Sequence, residues 1–241
     1  LTSGGFFMAL REFESERDQY VSSVLSLTSL VAIGLVFLYA LAPSFWNRMT
    51  GLPTHLMILL LVGLLVAPAR DFWLSRQRFE YRYKLSGAVT IVSAVAASGL
   101  AVVAVLYANS IDFSDIASVR LFANYSIVYG VAAVIWFSIF LKGKCFYSSK
   151  YWKFSLQLSL PLIGYSIASQ ILSVSDRLMI SKMVGNSAVG VYSTLYTVSS
   201  LSLMVWTAIN ASFTPYLYQN MENPKSKIRK LSMTMLATYS L

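Results

Sequence analysis

Long apolar runs without any charge alternate with short charged segments along the whole chain. A membrane-spanning helix needs about 20 mostly apolar residues, and most of these runs reach that length. The run at 183–221 exceeds one span, and its Gly and Pro residues predict a single helix with irregular ends. The predicted spans lie at about residues 21–43, 52–69, 85–109, 121–141, 155–182 and 188–213, with a seventh that begins at 231–241. The pattern predicts an all-α polytopic membrane protein with about six complete spans and partial ends.

The lysine and arginine residues between the spans follow a second pattern. Four segments are rich in them and carry two, five, four and four: 1–20, 70–84, 142–153 and 222–230. The alternate segments carry one, one and two: 44–53, 112–120 and 176–182. Because positive charge is retained on the cytoplasmic side of a membrane, the first group is predicted to be cytoplasmic. This dispersal accounts for the net charge of +9 and argues against nucleic-acid binding, for which basic residues cluster on one face.

Composition agrees with a membrane protein, since only 12% of residues are charged and the mean hydropathy is +0.62. Cys145 is the only cysteine, which excludes a disulfide within the chain and a cysteine-rich metal site. His55 is the only histidine and is interpreted as a polar group near the outer end of a span. We therefore expect no metal site, no cofactor and no enzymatic activity. The chain begins Leu1-Thr2-Ser3, so we expect both ends to be cut from a longer chain.

Polar side chains share one face of the predicted span at 155–182. At about 100° per residue, seven of them project within an arc of about 80°: Ser155, Ser159, Ser166, Gln170, Ser173, Arg177 and Ser181. Asp176 lies about 60° outside this arc. On a lipid-facing surface these groups would lack hydrogen-bond partners, so the stripe is predicted to face protein or water. The candidate substrate-binding residues here are Arg177, Asp176, Gln170, Ser173 and Ser166.

The depth of the charged pair Asp176-Arg177 in the membrane has two interpretations. Ionisable groups inside a span mark substrate or ion pathways. Asp176 is, however, roughly 35 Å along the helix from Lys153 at 1.5 Å per residue, so the pair is also compatible with the outer headgroup boundary. Pro161 and Gly164 favour the first interpretation, because they can bend a membrane helix around a cavity. Both interpretations stay open at this stage.

The following span, at 188–213, also carries polar side chains along one face. Ser193, Thr197, Ser200, Thr207 and Thr214 fall on one face with Asn210 beside it. Small hydroxyl residues also pack membrane helices together, so helix packing is the alternative to a cavity lining. We take Asn210 and Thr207 as further candidate substrate-binding residues. Three aromatic residues could stack on sugar faces or lie at a membrane interface: Tyr192, Tyr196 and Trp206.

The predicted inner loop at 70–84 interleaves basic and aromatic residues. Its flanking helices are expected to continue past the membrane, with the rings at headgroup depth. Arg76, Arg78, Arg82 and Lys84 are candidate headgroup-binding residues, because arginine binds phosphate groups bidentately. The two interpretations are a solvated face that anchors the protein to lipid and the capture of an anionic headgroup such as a diphosphate.

Several short motifs resemble a known family. The motifs are Leu-Pro-Leu-Ile at 160–163, Ser-Val-Ser-Asp-Arg at 173–177, Val-Gly-Val-Tyr-Ser at 189–193 and Phe-Thr-Pro-Tyr-Leu-Tyr at 213–218. They resemble the first helices of the C-terminal lobe in polysaccharide repeat-unit (O-antigen type) flippases of the multidrug and oligosaccharidyl-lipid exporter superfamily. The resemblance implies a two-lobe helical transporter bundle. Residues 1–141 would then be the remainder of the N-terminal lobe, 142–153 the cytoplasmic linker, and 154–241 the start of the C-terminal lobe.

The resemblance also implies a function. Such a protein flips an undecaprenyl-diphosphate-linked oligosaccharide across the bacterial inner membrane by alternating access, for the assembly of O-antigen, capsule or exopolysaccharide. Membrane lipids, a polysaccharide polymerase and chain-length regulators are the further partners implied, and the coupling ion, H⁺ or Na⁺, stays open. A cation-coupled multidrug exporter of the same superfamily is the alternative. A polytopic glycosyltransferase or polymerase is a third class, but it would need catalytic carboxylates or an arginine-rich outer loop.

Overall fold

The computed structural model describes residues 4–113, 115–219, 229 and 233, and the described part is almost entirely helical. A short helix, α1 (Gly4–Glu12), and a 3₁₀ turn, Glu14–Glu16, precede the long helices. The remaining helices are α2 (Arg17–Leu41), α3 (Pro43–Thr50), α4 (Thr54–Phe79), α5 (Tyr83–Ser110), α6 (Ile116–Gly143), α7 (Ser149–Met183), α8 (Asn186–Ser199) and α9 (Leu201–Gln219). The all-α prediction is confirmed for these residues.

The spanning prediction is also confirmed. Five helical segments in the described residues are long and apolar enough to cross a membrane: Glu14–Leu41, Thr54–Phe79, Tyr83–Ser110, Ile116–Gly143 and Ser149–Met183. A sixth span results when Ser187–Ser199 and Leu203–Gln219, which meet at an angle of 48°, are taken together. The predicted span at 231–241 and most of the basic segment at 222–230 lie outside the described residues.

The last of these spans differs from the single helix that the sequence predicts. Helix α8 ends at Ser199 and α9 begins at Leu201. At the junction the Ser200 hydroxyl donates a hydrogen bond to the Thr197 carbonyl oxygen at 2.8 Å. Helix α7, in contrast, continues through Pro161 without interruption.

The chain divides into two compact units. One contains the described residues of Ser3–Arg11 and Phe154–Leu241, and the other contains Glu12–Lys153. In the second unit α4 and α6 are central, since each contacts α2, α5 and the other. Helix α5 contributes small buried residues, Ala97, Ala101 and Ala108, to this packing. Small side chains allow membrane helices to approach closely, so they explain why α5 can pack on its neighbours.

The predicted linker at 142–153 packs on the start of α2 within the second unit. The Trp152 indole N–H donates to the Ser23 carbonyl oxygen at 2.9 Å, and the Tyr151 hydroxyl donates to Glu16 Oε2 at 2.6 Å. The Ser22 hydroxyl donates to the Cys145 carbonyl oxygen at 2.9 Å. These contacts fix the segment that leads from α6 into α7.

Replacing Gly143 with alanine is expected to destabilise the protein. Gly143 is buried at the end of α6, and an added Cβ would collide with the Asp18 backbone carbonyl and the Ser22 side chain. Overpacking of this kind costs about 1–3 kcal/mol, which corresponds to a melting temperature lower by several degrees. Gly130→Ala is the matched control on the same helix, because nothing lies within 4 Å of its added Cβ. Equal melting temperatures for the two variants of the purified full-length protein would contradict the close approach.

Candidate functional site

The charged pair on α7 contacts two tyrosines of α8. Gly185, with φ of +111°, separates the two helices in a conformation that favours glycine. The Tyr192 hydroxyl donates a hydrogen bond to Asp176 Oδ2 at 3.2 Å. The Arg177 guanidinium carbon lies 5.2 Å from the centroid of the Tyr196 ring. The two tyrosine rings are themselves 6.0 Å apart, centroid to centroid. We call these four residues the tyrosine–charge cluster.

The chemistry of the tyrosine–charge cluster suits an anion together with a sugar. A guanidinium group over an aromatic face is held by the ring quadrupole, and its five N–H donors suit the oxygens of a phosphate. The flat faces of Tyr192 and Tyr196 can pack against the apolar faces of a sugar ring. Asp176 is exposed and Arg177 is half-buried, so both charges are accessible in this unit. The cluster therefore fits a ligand that combines phosphate with carbohydrate.

The stripe on α7 extends from this cluster along an exposed helix. Residues 160–174 are all exposed, and the apolar ones among them, such as Leu172, suit contact with hydrocarbon. The Ser173 hydroxyl donates to the Gln170 carbonyl oxygen at 2.9 Å and lies 3.2 Å from Gln170 Oε1. The Ser166 hydroxyl donates to the Leu162 carbonyl oxygen at 2.9 Å. The Ser166 and Ser173 donors are thus satisfied within the helix, while the Gln170 amide nitrogen has no partner among the described residues.

Asn210 and Thr207, the two candidate residues of α9, form their hydrogen bonds within α9 and not with the tyrosine–charge cluster. The Thr214 hydroxyl donates to Asn210 Oδ1 at 3.2 Å, and the Thr207 hydroxyl donates to the Leu203 carbonyl oxygen. Asn210 and Thr207 are both exposed. No hydrogen bond or ion pair among the described residues joins either of them to Asp176 or Arg177, so their membership of the site stays a prediction.

The sequence predicts that Tyr192 and Tyr196 stack on sugar faces or lie at a membrane interface, and their contacts with Asp176 and Arg177 add them to the site. Their spacing of four residues places both on one helix face. This spacing is the signal in the sequence that the two tyrosines act together. The sequence contains no such signal for the contact of Asp176 with Tyr192, because this contact depends on the direction of α8 after Gly185. Asp176, outside the polar arc in the sequence projection, is therefore as much a part of the cluster as Arg177.

The four predicted headgroup cations differ in their surroundings. Arg76 forms ion pairs with Asp18 and, at 2.8 Å, with Glu80. Arg82 Nε lies 3.6 Å from the other Glu80 oxygen, and its side chain is 66% exposed. Arg78 and Lys84 are exposed and have no ion pair among the described residues. Arg76 is thus largely occupied by carboxylates, whereas the other three cations remain accessible.

The sequence analysis predicts neither of the two carboxylate partners of Arg76. Glu80 follows Arg76 at the i,i+4 spacing of a helical ion pair, so the sequence contained a signal for it. Asp18 lies 58 residues earlier in the chain, and only the packing of α2 on α4 brings it to Arg76.

His55 has a structural role where α4 and α6 begin, at the end of α4 opposite to Arg76. Its Nε2 atom lies 3.0 Å from the Ser118 hydroxyl and 3.7 Å from Asp115 Oδ2. Asp115 caps α6 by accepting a hydrogen bond from the Ser118 backbone N–H at 3.0 Å. The hydrogen bonds from Ser118, together with His55, lower the pKa of Asp115 below its usual value. Among the described residues no group of three or more His, Cys, Asp or Glu side chains could hold a metal ion.

Cysteine labelling tests whether the stripe faces water. In a background in which Cys145 is replaced by serine, Gln170→Cys and Ser173→Cys of the full-length protein are expected to react with a water-soluble thiol reagent. Leu172→Cys, at a position that is also exposed but lies on the apolar face, is expected to be protected by lipid in intact membranes. If neither Gln170→Cys nor Ser173→Cys reacts, or if Leu172→Cys reacts as fast, the stripe does not line an aqueous cavity.

The chain was also compared with known proteins. A family model described as "polysaccharide biosynthesis protein" matches residues 7–221, which include helices of both units. No curated protein and no solved structure matches the chain.

Proposed function

The chain belongs to the polysaccharide biosynthesis protein family, and from that premise we propose that it flips a polyprenyl-diphosphate-linked oligosaccharide across a bacterial inner membrane. Membership of the family and the multi-pass architecture give the coarser statement, a membrane protein of polysaccharide synthesis or export. The proposal adds the substrate, the membrane and the step, which is movement from the inner to the outer leaflet before assembly of O-antigen, capsule or exopolysaccharide.

The tyrosine–charge cluster is the observation that carries this proposal. A diphosphate that leaves water needs a cationic partner, because burying an unpaired charge costs several kcal/mol. Arg177 supplies that partner on a span that is otherwise free of charge from Phe154 to Ser175. Tyr196 holds its guanidinium group from one side, which leaves N–H donors for phosphate oxygens. Sugar units attached to the diphosphate would then pack on Tyr192 and Tyr196.

Asp176 limits how tightly the cluster holds an anion. A carboxylate next to Arg177 reduces the net charge of the site, so the diphosphate can be released after it has been bound. Tyr192 donates a hydrogen bond to Asp176 and keeps the carboxylate on the α8 side. In the proposed cycle two lobes rock against each other and expose the site to one face of the membrane at a time. The polyprenyl tail stays in the bilayer throughout.

The proposed protein is a transporter and not an enzyme, since flipping neither makes nor breaks a covalent bond. It requires no resident cofactor, and H⁺ and Na⁺ are the two coupling ions to be compared. A polysaccharide polymerase and chain-length regulators are its proposed partners on the outer face, because they would take over the flipped repeat units. The competing drug exporter would favour carboxylates over arginine at its site, because many substrates of that class are cationic.

Cells that lack the full-length protein test the proposed function. We expect them to lose the surface polysaccharide and to accumulate the lipid-linked repeat unit on the inner leaflet, with unchanged susceptibility to cationic drugs. Normal surface polysaccharide together with raised drug susceptibility would favour the exporter and overturn the proposal. Absence of the lipid-linked repeat unit itself would place the protein in synthesis and not in transport.

A further inference from the structure

The ends of α2, α4 and α6, together with Arg82 in the loop after α4, line an open cavity in the second unit, at the boundary predicted to be cytoplasmic. The cavity has a volume of about 160 Å³. The lining residues used below are Trp73, Arg76, Gln77, Glu80, Arg82 and Lys142. We call it the inner cavity. All of these residues belong to the same compact unit, and the cavity shares no residue with the tyrosine–charge cluster.

The inner cavity carries one positive charge in excess. Three cations, Arg76, Arg82 and Lys142, line it with two carboxylates, Asp18 and Glu80, so the sum is three minus two, or +1. Arg76 is held by both carboxylates. Lys142 is exposed and has no ion pair among the described residues. The uncompensated charge therefore lies on the side of Lys142 and Arg82.

The inner cavity also has a hydrogen-bond donor without a partner. The Trp73 indole N–H can only donate, and it has no acceptor among the described residues. The Gln77 Oε1 atom is also without a partner within the described part of the chain, but it is buried and does not face a ligand. The inner cavity therefore suits a ligand that accepts hydrogen bonds.

We propose that the inner cavity binds the headgroup of an anionic phospholipid with a single negative charge, such as phosphatidylglycerol. Lys142, Arg82 and the Trp73 N–H bind the phosphate oxygens. The single negative charge of the phosphodiester balances the excess charge of +1. A zwitterionic headgroup leaves that charge uncompensated, and a diphosphate exceeds it. The site goes beyond the proposed function and does not depend on it.

The depth of the inner cavity agrees with this ligand. Lys142 lies in the last turn of α6, Arg76 in the last turn of α4 and Asp18 in the first turn of α2. Each residue is therefore at the same predicted boundary of its span, where phospholipid headgroups lie. Lysine and arginine side chains reach into this layer with their stems along apolar surface. A bound headgroup would tie α2, α4 and α6 together at that end.

Lipid retention tests this site. The full-length protein is purified from vesicles that contain phosphatidylglycerol, phosphatidylethanolamine and phosphatidylcholine, and bound lipids are measured by native mass spectrometry. We expect selective retention of phosphatidylglycerol and a loss of about tenfold in Lys142→Gln, since a charge-assisted hydrogen bond is removed. Lys153→Gln removes the same charge from the same predicted face outside the cavity, and it is expected to retain the lipid. Equal retention by the two variants would overturn the site.

Two further measurements distinguish a specific headgroup site from a basic surface that attracts any anion. Trp73→Phe removes the indole N–H and preserves an aromatic ring, so reduced retention in this variant is expected even if Lys142→Gln fails to insert. Unchanged retention in Trp73→Phe and Lys142→Gln would contradict the assignment. Inorganic phosphate at millimolar concentration is expected not to displace the lipid. Displacement by inorganic phosphate, or retention of phosphatidylethanolamine at the same level, would overturn the proposed preference for an anionic headgroup.

Discussion

Replacing Arg177 with alanine in the full-length protein is expected to reduce delivery of repeat units to the cell surface by about 10- to 100-fold. The variant removes a charge-assisted interaction with the diphosphate, and such an interaction is worth about 1.5–3 kcal/mol. Arg177→Lys is expected to retain part of the delivery, because lysine keeps the charge but loses the bidentate geometry. Surface polysaccharide is measured against the amount of inserted protein.

Lys182→Ala is the matched control for Arg177→Ala. Lys182 is exposed on the same helix and points away from the polar stripe in the helical projection. It is therefore expected to support normal delivery. A stably inserted Arg177→Ala protein with normal surface polysaccharide would remove Arg177 from the site. An equal loss in Lys182→Ala would show that the effect is not specific to Arg177, and it would contradict the assignment of Arg177 to a defined site.

Replacing Arg76 with alanine is expected to lower the free energy of unfolding by about 2 kcal/mol. The side chain of Arg76 is 24% exposed and that of Glu80 is 14% exposed. The variant leaves Asp18 unpaired and leaves Glu80 with only the longer contact to Arg82, at 3.6 Å. Breaking a fully buried pair costs about 3–5 kcal/mol. The 49% exposure of Asp18 reduces that figure through solvent screening. The melting temperature of the purified protein should fall by several degrees.

Arg78→Ala provides the control for Arg76→Ala. Arg78 is exposed on the same turn of α4 and has no ion pair among the described residues. Surface substitutions of this type change stability by less than about 0.5 kcal/mol. A melting temperature for Arg76→Ala that equals that of Arg78→Ala would show that the contacts with Asp18 and Glu80 contribute nothing to the fold.

The helical architecture was predictable because it depends on local properties of the sequence. In hydrocarbon every backbone polar group needs an internal partner, so an apolar run of about 20 residues forms a helix whatever its neighbours are. The helix that contains the apolar run ending near residue 69 continues to Phe79, as the sequence predicts for the helices that flank the charged inner loop. The boundary between α8 and α9 was not predictable in this way, since the sequence predicts one helix at 188–213.

The composition of the candidate site was only partly predictable. The polar stripe follows from helical periodicity, so Arg177, Gln170 and Ser173 could be placed on one face. The contact between Asp176 and Tyr192 depends on the turn at Gly185, and that between Arg76 and Asp18 depends on the packing of α2 against α4. Such contacts join residues that are distant in sequence, and no local pattern specifies them.

Leaflet translocation by the purified full-length protein tests the central claim most directly. The protein is reconstituted in sealed vesicles with a polyprenyl-diphosphate-linked oligosaccharide that carries a fluorescent sugar, and a membrane-impermeant quencher reports how much of it reaches the other leaflet. The account predicts protein-dependent translocation that is retained in Lys182→Ala and lost in Arg177→Ala. Translocation no faster than in protein-free vesicles, or equally fast in wild type and Arg177→Ala, would contradict it.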